Sequence, residues 1–418
     1  MPPPAENFSS QCNFCKRPLT HLVVDLGMQP LCEERIKLEE LQQMEPHYPL
    51  KVYVCDHCFL VQVPESVSPE IIYKDYGYYS SFSDFWLQHA KNYVDHVIPK
   101  FGINKQSLVS EIASNDGYLL QYFVEKDIPV LGIDPSMAVA QYAIKEKGVR
   151  TETIFFGFET AKHLVETYGK SDLIIGNNVL AHVPDINDFV KGMKLFLKPD
   201  GVITMEFPHL QRLIEENQFD TIYHEHFSYF SFSTVRTIFN KYGIRLFDVE
   251  ELSTHGGSLR IYGCHFDALD KPVHPRVEEL VTREKALGIE SLEYYDTFNE
   301  KVKETKRKIL HFLIDAKRQG KQVVGYGAPG KGNTLLNYCG IRTDFLDYTV
   351  DRSPHKQGYF LPGTHIPIYH PDKLRETKPD YVLILPWNLK EEIRSHHQYI
   401  NEWGGKFVVP IPELKVID

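Results

Sequence analysis

At 418 residues the chain is too long for one ordinary hydrophobic core, so two or three domains are expected. Its 42% hydrophobic and 24% charged residues, without a low-complexity tract, exclude a disordered or fibrous protein. A formal net charge of −10, from 46 basic and 56 acidic residues, argues against a nucleic-acid partner or an anionic membrane face; a local basic pocket remains compatible with it. No apolar run approaches the roughly 20 residues that span a bilayer. The Met-Pro-Pro-Pro start lacks the basic and apolar regions of a signal peptide, so a cytoplasmic location is expected. Seven cysteines, an odd number, suit a reducing compartment better than a disulfide framework.

Residues 1–70 read as a module of short strands with two C-x-x-C knuckles, Cys12-Asn13-Phe14-Cys15 and Cys55-Asp56-His57-Cys58. Each knuckle presents two thiolates from a tight turn, and four thiolates close the tetrahedral shell that structural Zn²⁺ prefers. Such a shell has no position left for water, so the expected zinc serves folding rather than catalysis. A Tyr/Ser-rich connector follows, and from Asp84 a helix carries Trp86, Ala90, Tyr93 and Val97 on one face.

From 71 to 290 strand and helix signals alternate as a parallel α/β sheet requires. Val109–Gly117 reads as a buried strand entering a tight small-residue turn, and Val130-Leu131-Gly132-Ile133-Asp134 as a second strand ending in an acid. In a doubly wound sheet that turn lies where a ligand meets backbone, and the second acid suits ribose hydroxyls. Glu111, before the turn, would repel a pyrophosphate and suits a cationic ligand. Asp172–Asn178 is a further strand with a polar exit, followed by a helix over 188–197 and a strand over 202–207.

An insertion over 209–232 then carries Tyr223-His224-Glu225-His226, a dense supply of proton-transfer groups at the ligand end of the sheet. Extended backbone would send Tyr223 and Glu225 one way and His224 and His226 the other. A helix over 233–242 and an antiparallel pair, 244–249 with 258–265, close this unit. A long helix over 290–319 leads to a third unit, 291–418, with a strand and glycine turn at Val323–Gly332 and strands near 348–350, 381–385 and 407–410. Its Gly325-x-Gly327-x-x-Gly330-Lys331 suits a dinucleotide by pattern alone, with a plain structural turn as the rival reading.

The two knuckles, Tyr76–Ser81, Glu111–Gly117, Asn177–His182, Tyr223–His226, His255–Arg260 and Gly325–Lys331, in this order, resemble the S-adenosylmethionine (SAM)-dependent C-methyltransferases of nucleotide-linked 4-keto-deoxyhexoses. The resemblance covers essentially the whole chain. It implies an α/β fold: a class I methyltransferase Rossmann-like sheet, an N-terminal Cys₄ zinc module (Cys12, Cys15, Cys55, Cys58) and a smaller Rossmann-like C-terminal domain. It implies SAM as cofactor, held by Glu111, Ala113, Gly117, Asp134 and Asn177. It makes His226 the base that removes a proton beside a ketone, with Tyr223 and Glu225 orienting the sugar or supporting the enolate, and Tyr78 and His182 bordering the pocket. Gly330 and Lys331, helped by Asn333, would clamp the nucleotide diphosphate.

Where Ala113 stands the resemblance leads one to expect Gly. A methyl group is tolerated there if the dihedrals are ordinary. Methyl transfer to RNA or another small molecule, and a non-catalytic nucleotide-sugar-binding protein, are the competing readings. Nothing in the sequence sets the oligomeric state, and a monomer is compatible with it.

Overall fold

Each strand–turn–helix signal builds one of two largely parallel sheets, while the knuckle region forms a small antiparallel one. The computed structural model describes residues 10–72 and 79–417. Tyr78, expected at the pocket, lies outside the described residues.

The antiparallel sheet contains β1 (His21–Gln29), β2 (Tyr48–Val54) and β3 (Val61–Gln62). Its fourth strand is Ser228–Tyr229, contributed by the insertion that carries the proton-transfer cluster.

The central sheet contains β4 (Val109–Ile112), β5 (Val130–Ile133), β6 (Thr151–Glu152), β7 (Ser171–Asn177) and β8 (Leu197–Pro208). After β9 (Ser228–Tyr229) the chain adds β10 (Ile244–Leu252) and β11 (Ser258–His265). The order is β10-β11-β8-β7-β4-β5-β6. All four residues of β4 are buried, as a strand covered on both faces requires. Successive crossovers leave β4 in opposite directions, toward β5 and toward β7, and the crevice at this reversal is where open α/β sheets bind ligands. β10 and β11 pair antiparallel, as their sequence suggests, with Val249 opposite Ile261.

The third sheet has the order β14-β13-β12-β15-β16-β17, comprising β12 (Val323–Tyr326), β13 (Thr349–Val350), β14 (Ile368–Tyr369), β15 (Tyr381–Ile384), β16 (Lys406–Val409) and β17 (Lys415–Ile417). The long bridging helix is Phe298–Arg318, shorter than expected and preceded by another helix, Pro275–Leu287. Gly288, at φ +82°, ends the earlier helix in the left-handed conformation that glycine adopts without steric cost.

Val24, Val52 and Val61 of the antiparallel sheet share one core with Val302, Ile309 and Leu336. The first and third units thus pack together and hold the 219–229 segment between them and the central sheet. Among the described residues no helix is long and apolar enough to cross a membrane.

Candidate active site

The turn after β4 is built from backbone that side chains normally avoid. Ala113, Asn115 and Gly117 all have positive φ, at 58°, 51° and 76°. The dihedrals at Ala113 are therefore not ordinary, so the condition under which a methyl group is tolerated there is not met. Replacing Ala113 by Gly is expected to stabilise the fold by about 0.5–1 kcal/mol, because relief of left-handed strain outweighs the extra unfolded-state entropy. Thermal or urea unfolding measures it; a less stable variant would contradict the strain.

Asp134 at the end of β5 holds this turn. Its two carboxylate oxygens accept the Asn115 and Ser136 amides, each at 2.9 Å. Burial raises its pKa to about 6, against the pull of those two amides. Asn115 Oδ1 and Asp116 Oδ2 in turn accept the Ser80 and Ser81 amides, at 2.9 and 3.0 Å, so the end of the connector is tied to the turn. Gly117 is outside the cavity lining; a Cβ there would approach Val149 Cγ2 at 3.1 Å and Ala143 Cβ at 3.2 Å. Its role is the turn itself.

Glu111 is fully buried, and neither carboxylate oxygen has a hydrogen-bond partner of ordinary geometry. Burial holds its pKa well above the carboxylate range, partly offset by the Tyr118 hydroxyl and reinforced by Asp134 and Asp116. An orphaned buried acid beside a crevice is costly unless a cation or donor approaches it. These residues fit a donor that carries a positive charge and ribose hydroxyls, as SAM does. Asn177, at the exit of β7, donates to the Tyr118 hydroxyl at 3.3 Å, and both side chains line the crevice.

The crevice opens into a cavity of about 360 Å³ that Ala113, Asp134 and Asn177 share with His182, Tyr223 and His226. The expected alternation over 223–226 does not occur. The His226 amide bonds the Tyr223 carbonyl at 3.0 Å, and this turn brings Tyr223, Glu225 and His226 to the same cavity. Only His224 is excluded, packed edge-on against Tyr48.

His226 Nδ1 lies 2.9 Å from the Thr221 carbonyl. A carbonyl only accepts, so Nδ1 carries the proton and Nε2 of the neutral ring has its lone pair free. Burial and neighbouring His182 hold the imidazole neutral, with its pKa well below the usual histidine value. Tyr223 packs on the ring at 4.0 Å between centroids, and His182 meets it edge-on at 4.7 Å. Burial also lowers His182, to about 4. Glu225 moves the other way, to about 8, through burial and the nearby Glu33 carboxylate, so it holds its proton at neutral pH.

The third unit reaches the cavity through Pro329, Gly330 and Lys331. Lys331 Nζ donates to Asn388 Oδ1 at 2.8 Å and lies over the Trp387 ring, 4.9 Å from its centroid. Trp387 Nε1 donates to buried Asp220 at 2.7 Å, and the Thr334 hydroxyl donates to the Ile222 carbonyl at 3.0 Å. Two expected ligand groups are already engaged within the protein. The Gly330 amide donates to Glu33 Oε1 at 3.0 Å, and the Asn333 amide nitrogen donates to the Cys32 carbonyl at 2.5 Å, away from the cavity lining.

Trp86 and His255 also line the cavity, though sequence reasoning gave them no role there. Behind them, buried Glu206 binds Arg260 at 2.6 Å, His89 at 2.9 Å and the Thr254 hydroxyl at 2.8 Å. Burial opposes its ionisation, but these donors overcome it and hold its pKa at about 2. A glutamate inside the apolar run Val202–Phe207 was the available signal, since a buried acid demands partners.

The four knuckle sulfurs lie within 4.8 Å of one another, with Cys12 and Cys58 Sγ 3.5 Å apart and Cys15 and Cys55 Sγ 3.4 Å apart. Four converging thiols with no carboxylate or imidazole among them fit a closed structural zinc site. Gln62 links the site to the active segment: its side chain donates to Cys12 Sγ at 3.3 Å and accepts the Asn13 amide at 2.7 Å, while its backbone pairs with Ser228.

Three family models match this architecture: a putative zinc binding domain over residues 12–73, a methyltransferase domain over 86–249, and a C-methyltransferase C-terminal domain over 253–412. In the structure 258–265 is β11 of the central sheet, so the third match begins inside the methyltransferase fold. The chain is 35% identical to the C-methyltransferase NovU of Streptomyces niveus over 407 residues, 97% of this chain and 96% of that protein. Among solved structures, a SAM-dependent methyltransferase from Anabaena variabilis aligns at 15% identity and TM-score 0.35, covering 41% of this chain and 83% of the other. Magnesium protoporphyrin IX methyltransferase from Synechocystis, with bound SAH, aligns at 15% identity and TM-score 0.35, covering 43% and 83%. Those two likenesses are too loose to carry an argument. The near full-length relative and the domain matches suffice: the chain belongs to the C-methyltransferase family, as a SAM-dependent enzyme with a zinc-binding N-terminal region.

Proposed function

We propose that the enzyme methylates carbon 3 of a nucleotide-diphosphate-linked 4-keto-deoxysugar, with His226 as the base. The observation that carries this reading is the fixed tautomer of His226 in the cavity that also receives the Asp134 turn. His226 Nε2 accepts the proton from the carbon beside the ketone, the C–H electron pair becomes the carbon–carbon double bond of the enolate, and the carbonyl π pair moves onto the oxygen. Protonated Glu225 and the Tyr223 hydroxyl donate toward that oxygen, as a developing enolate requires. Bound SAM supplies an electrophilic methyl group on a sulfonium. Glu111 and Asp134 place it, Asn177 borders it, and His182 walls the imidazole from solvent. With the Gly330 amide engaged, Lys331 is, among the described residues that line the cavity, the cation left for the diphosphate.

The deciding experiment incubates the enzyme with SAM and a panel of dTDP-, GDP- and CDP-linked 4-keto-deoxysugars. One acceptor should gain the mass of one methylene at carbon 3. Failure with the whole panel, from enzyme that binds SAM, would reject the acceptor class.

Asp134→Ala is expected to weaken SAM about tenfold or more, through a lost charged hydrogen bond and a loosened turn. Calorimetry showing unchanged SAM affinity would reject the ribose role.

A further inference from the structure

The loop after β1 delivers Glu33 to the wall of the active cavity, beside Glu225, Tyr223 and Lys331. Its position is set on both sides. Glu33 Oε1 accepts the Gly330 amide, and the adjacent Cys32 donates its thiol to Glu225 Oε1 at 3.7 Å and accepts Asn333 through its carbonyl. Gly330 permits this approach, because a Cβ there would stand 2.7 Å from Glu33 Oε1 and 2.8 Å from Cys32 Sγ. Among the described residues the hydrogen bond Glu33 accepts from Gly330 runs through Oε1, which leaves Oε2 for another donor.

A carboxylate held this way has one chemistry to offer, which is to accept a hydrogen bond. It repels a phosphate at the Gly330 amide. The SAM side of the cavity has its own acids on a separate part of the chain, Asp134 in the lining and Glu111 fully buried outside it. Among bound groups, the donors that match it are hydroxyl groups of the methyl acceptor.

We propose that Glu33, a residue of the zinc-binding region, determines acceptor specificity by taking a hydrogen bond from one acceptor hydroxyl through Oε2. This rests on the reading that the acceptor occupies the cavity beside His226.

The test is Glu33→Gln, which keeps an amide oxygen for Gly330 and presents NH₂ where the free acceptor stood. With an acceptor that the wild type methylates, the acceptor KM should rise about tenfold or more, as for a lost charged hydrogen bond. SAM affinity should stay within about twofold of wild type, and the alkaline limb set by Glu225 should move to lower pH because the Glu33 charge that helps raise it is gone. Among acceptor analogues each lacking one hydroxyl, one should give the same KM for both enzymes. An unchanged KM on the parent acceptor would overturn the proposal, as would a rise of equal size on every analogue, which marks a purely structural contact. Should the variant not fold, the wild type alone decides. One deoxy analogue must lose about tenfold, and equal KM across the set overturns the proposal. A wild type that methylates no keto-sugar rejects the acceptor reading and this proposal with it, whereas normal Glu33→Gln kinetics reject the proposal alone.

Discussion

Replacing His226 by Asn is expected to lower turnover by at least about 10²-fold while leaving SAM and acceptor binding largely intact. The amide NH₂ of Asn can still donate to the Thr221 carbonyl, as Nδ1–H does, so the 219–227 segment keeps its turn. What disappears is the lone pair on Nε2. The pH profile of kcat/KM tests the same assignment from the other side. The imidazole is the base form above its lowered pKa, so the acid limb should lie below pH 6.5. Glu225 acts as a donor only while protonated, so activity should fall again as pH rises through about 8. Glu225→Gln should remove that alkaline limb. Full activity in the His226 variant would eliminate the proposed base.

Loss of the Cys₄ metal is expected to abolish turnover as well, although the ion touches no reactant. Structural zinc sites contribute on the order of 10 kcal/mol to small domains, more than a marginal fold can forgo. Here the coupling runs through named contacts. Cys58 ends the second knuckle, β3 follows three residues later, and β3 pairs with Ser228–Tyr229. The Val63 amide also bonds the Phe227 carbonyl, one residue beyond His226, at 3.1 Å. Cys12→Ser with Cys58→Ser should therefore lose the metal, lose solubility and release the base from its position. Metal analysis beside thermal unfolding measures this, and a metal-free variant that stays folded and active would contradict it.

The sheet and its ligand turn were legible because they depend on local signals. A four-residue buried strand, a small-residue turn and an acid closing the next strand place Glu111 and Asp134 from strand geometry alone. The knuckles were legible for the same reason, since thiolate spacing is a local property. The 223–226 segment reaches the cavity at the ligand end of the sheet, as its place after the strand suggests, but its shape differs from extended backbone. Extended alternation would have put Glu225 and His226 on opposite faces, whereas the Tyr223–His226 turn gathers them.

The features that escaped notice join segments far apart in sequence. Glu33 meets Gly330 across 297 residues, Trp387 meets Asp220 across 167, and His89 meets Glu206 across 117. No periodicity encodes such pairs. The glycine turn of the third unit shows the consequence: its pattern suits a diphosphate, yet a carboxylate from the first unit already holds the amide at its helix start.

The most direct measurement is proton exchange at the carbon beside the ketone, followed by NMR in D₂O with enzyme, keto-sugar nucleotide and S-adenosylhomocysteine, so that no methyl can be transferred. Deuterium should enter carbon 3 with the wild-type enzyme and fail to enter with Asn at position 226. Equal incorporation by both would show that this imidazole does not remove the proton.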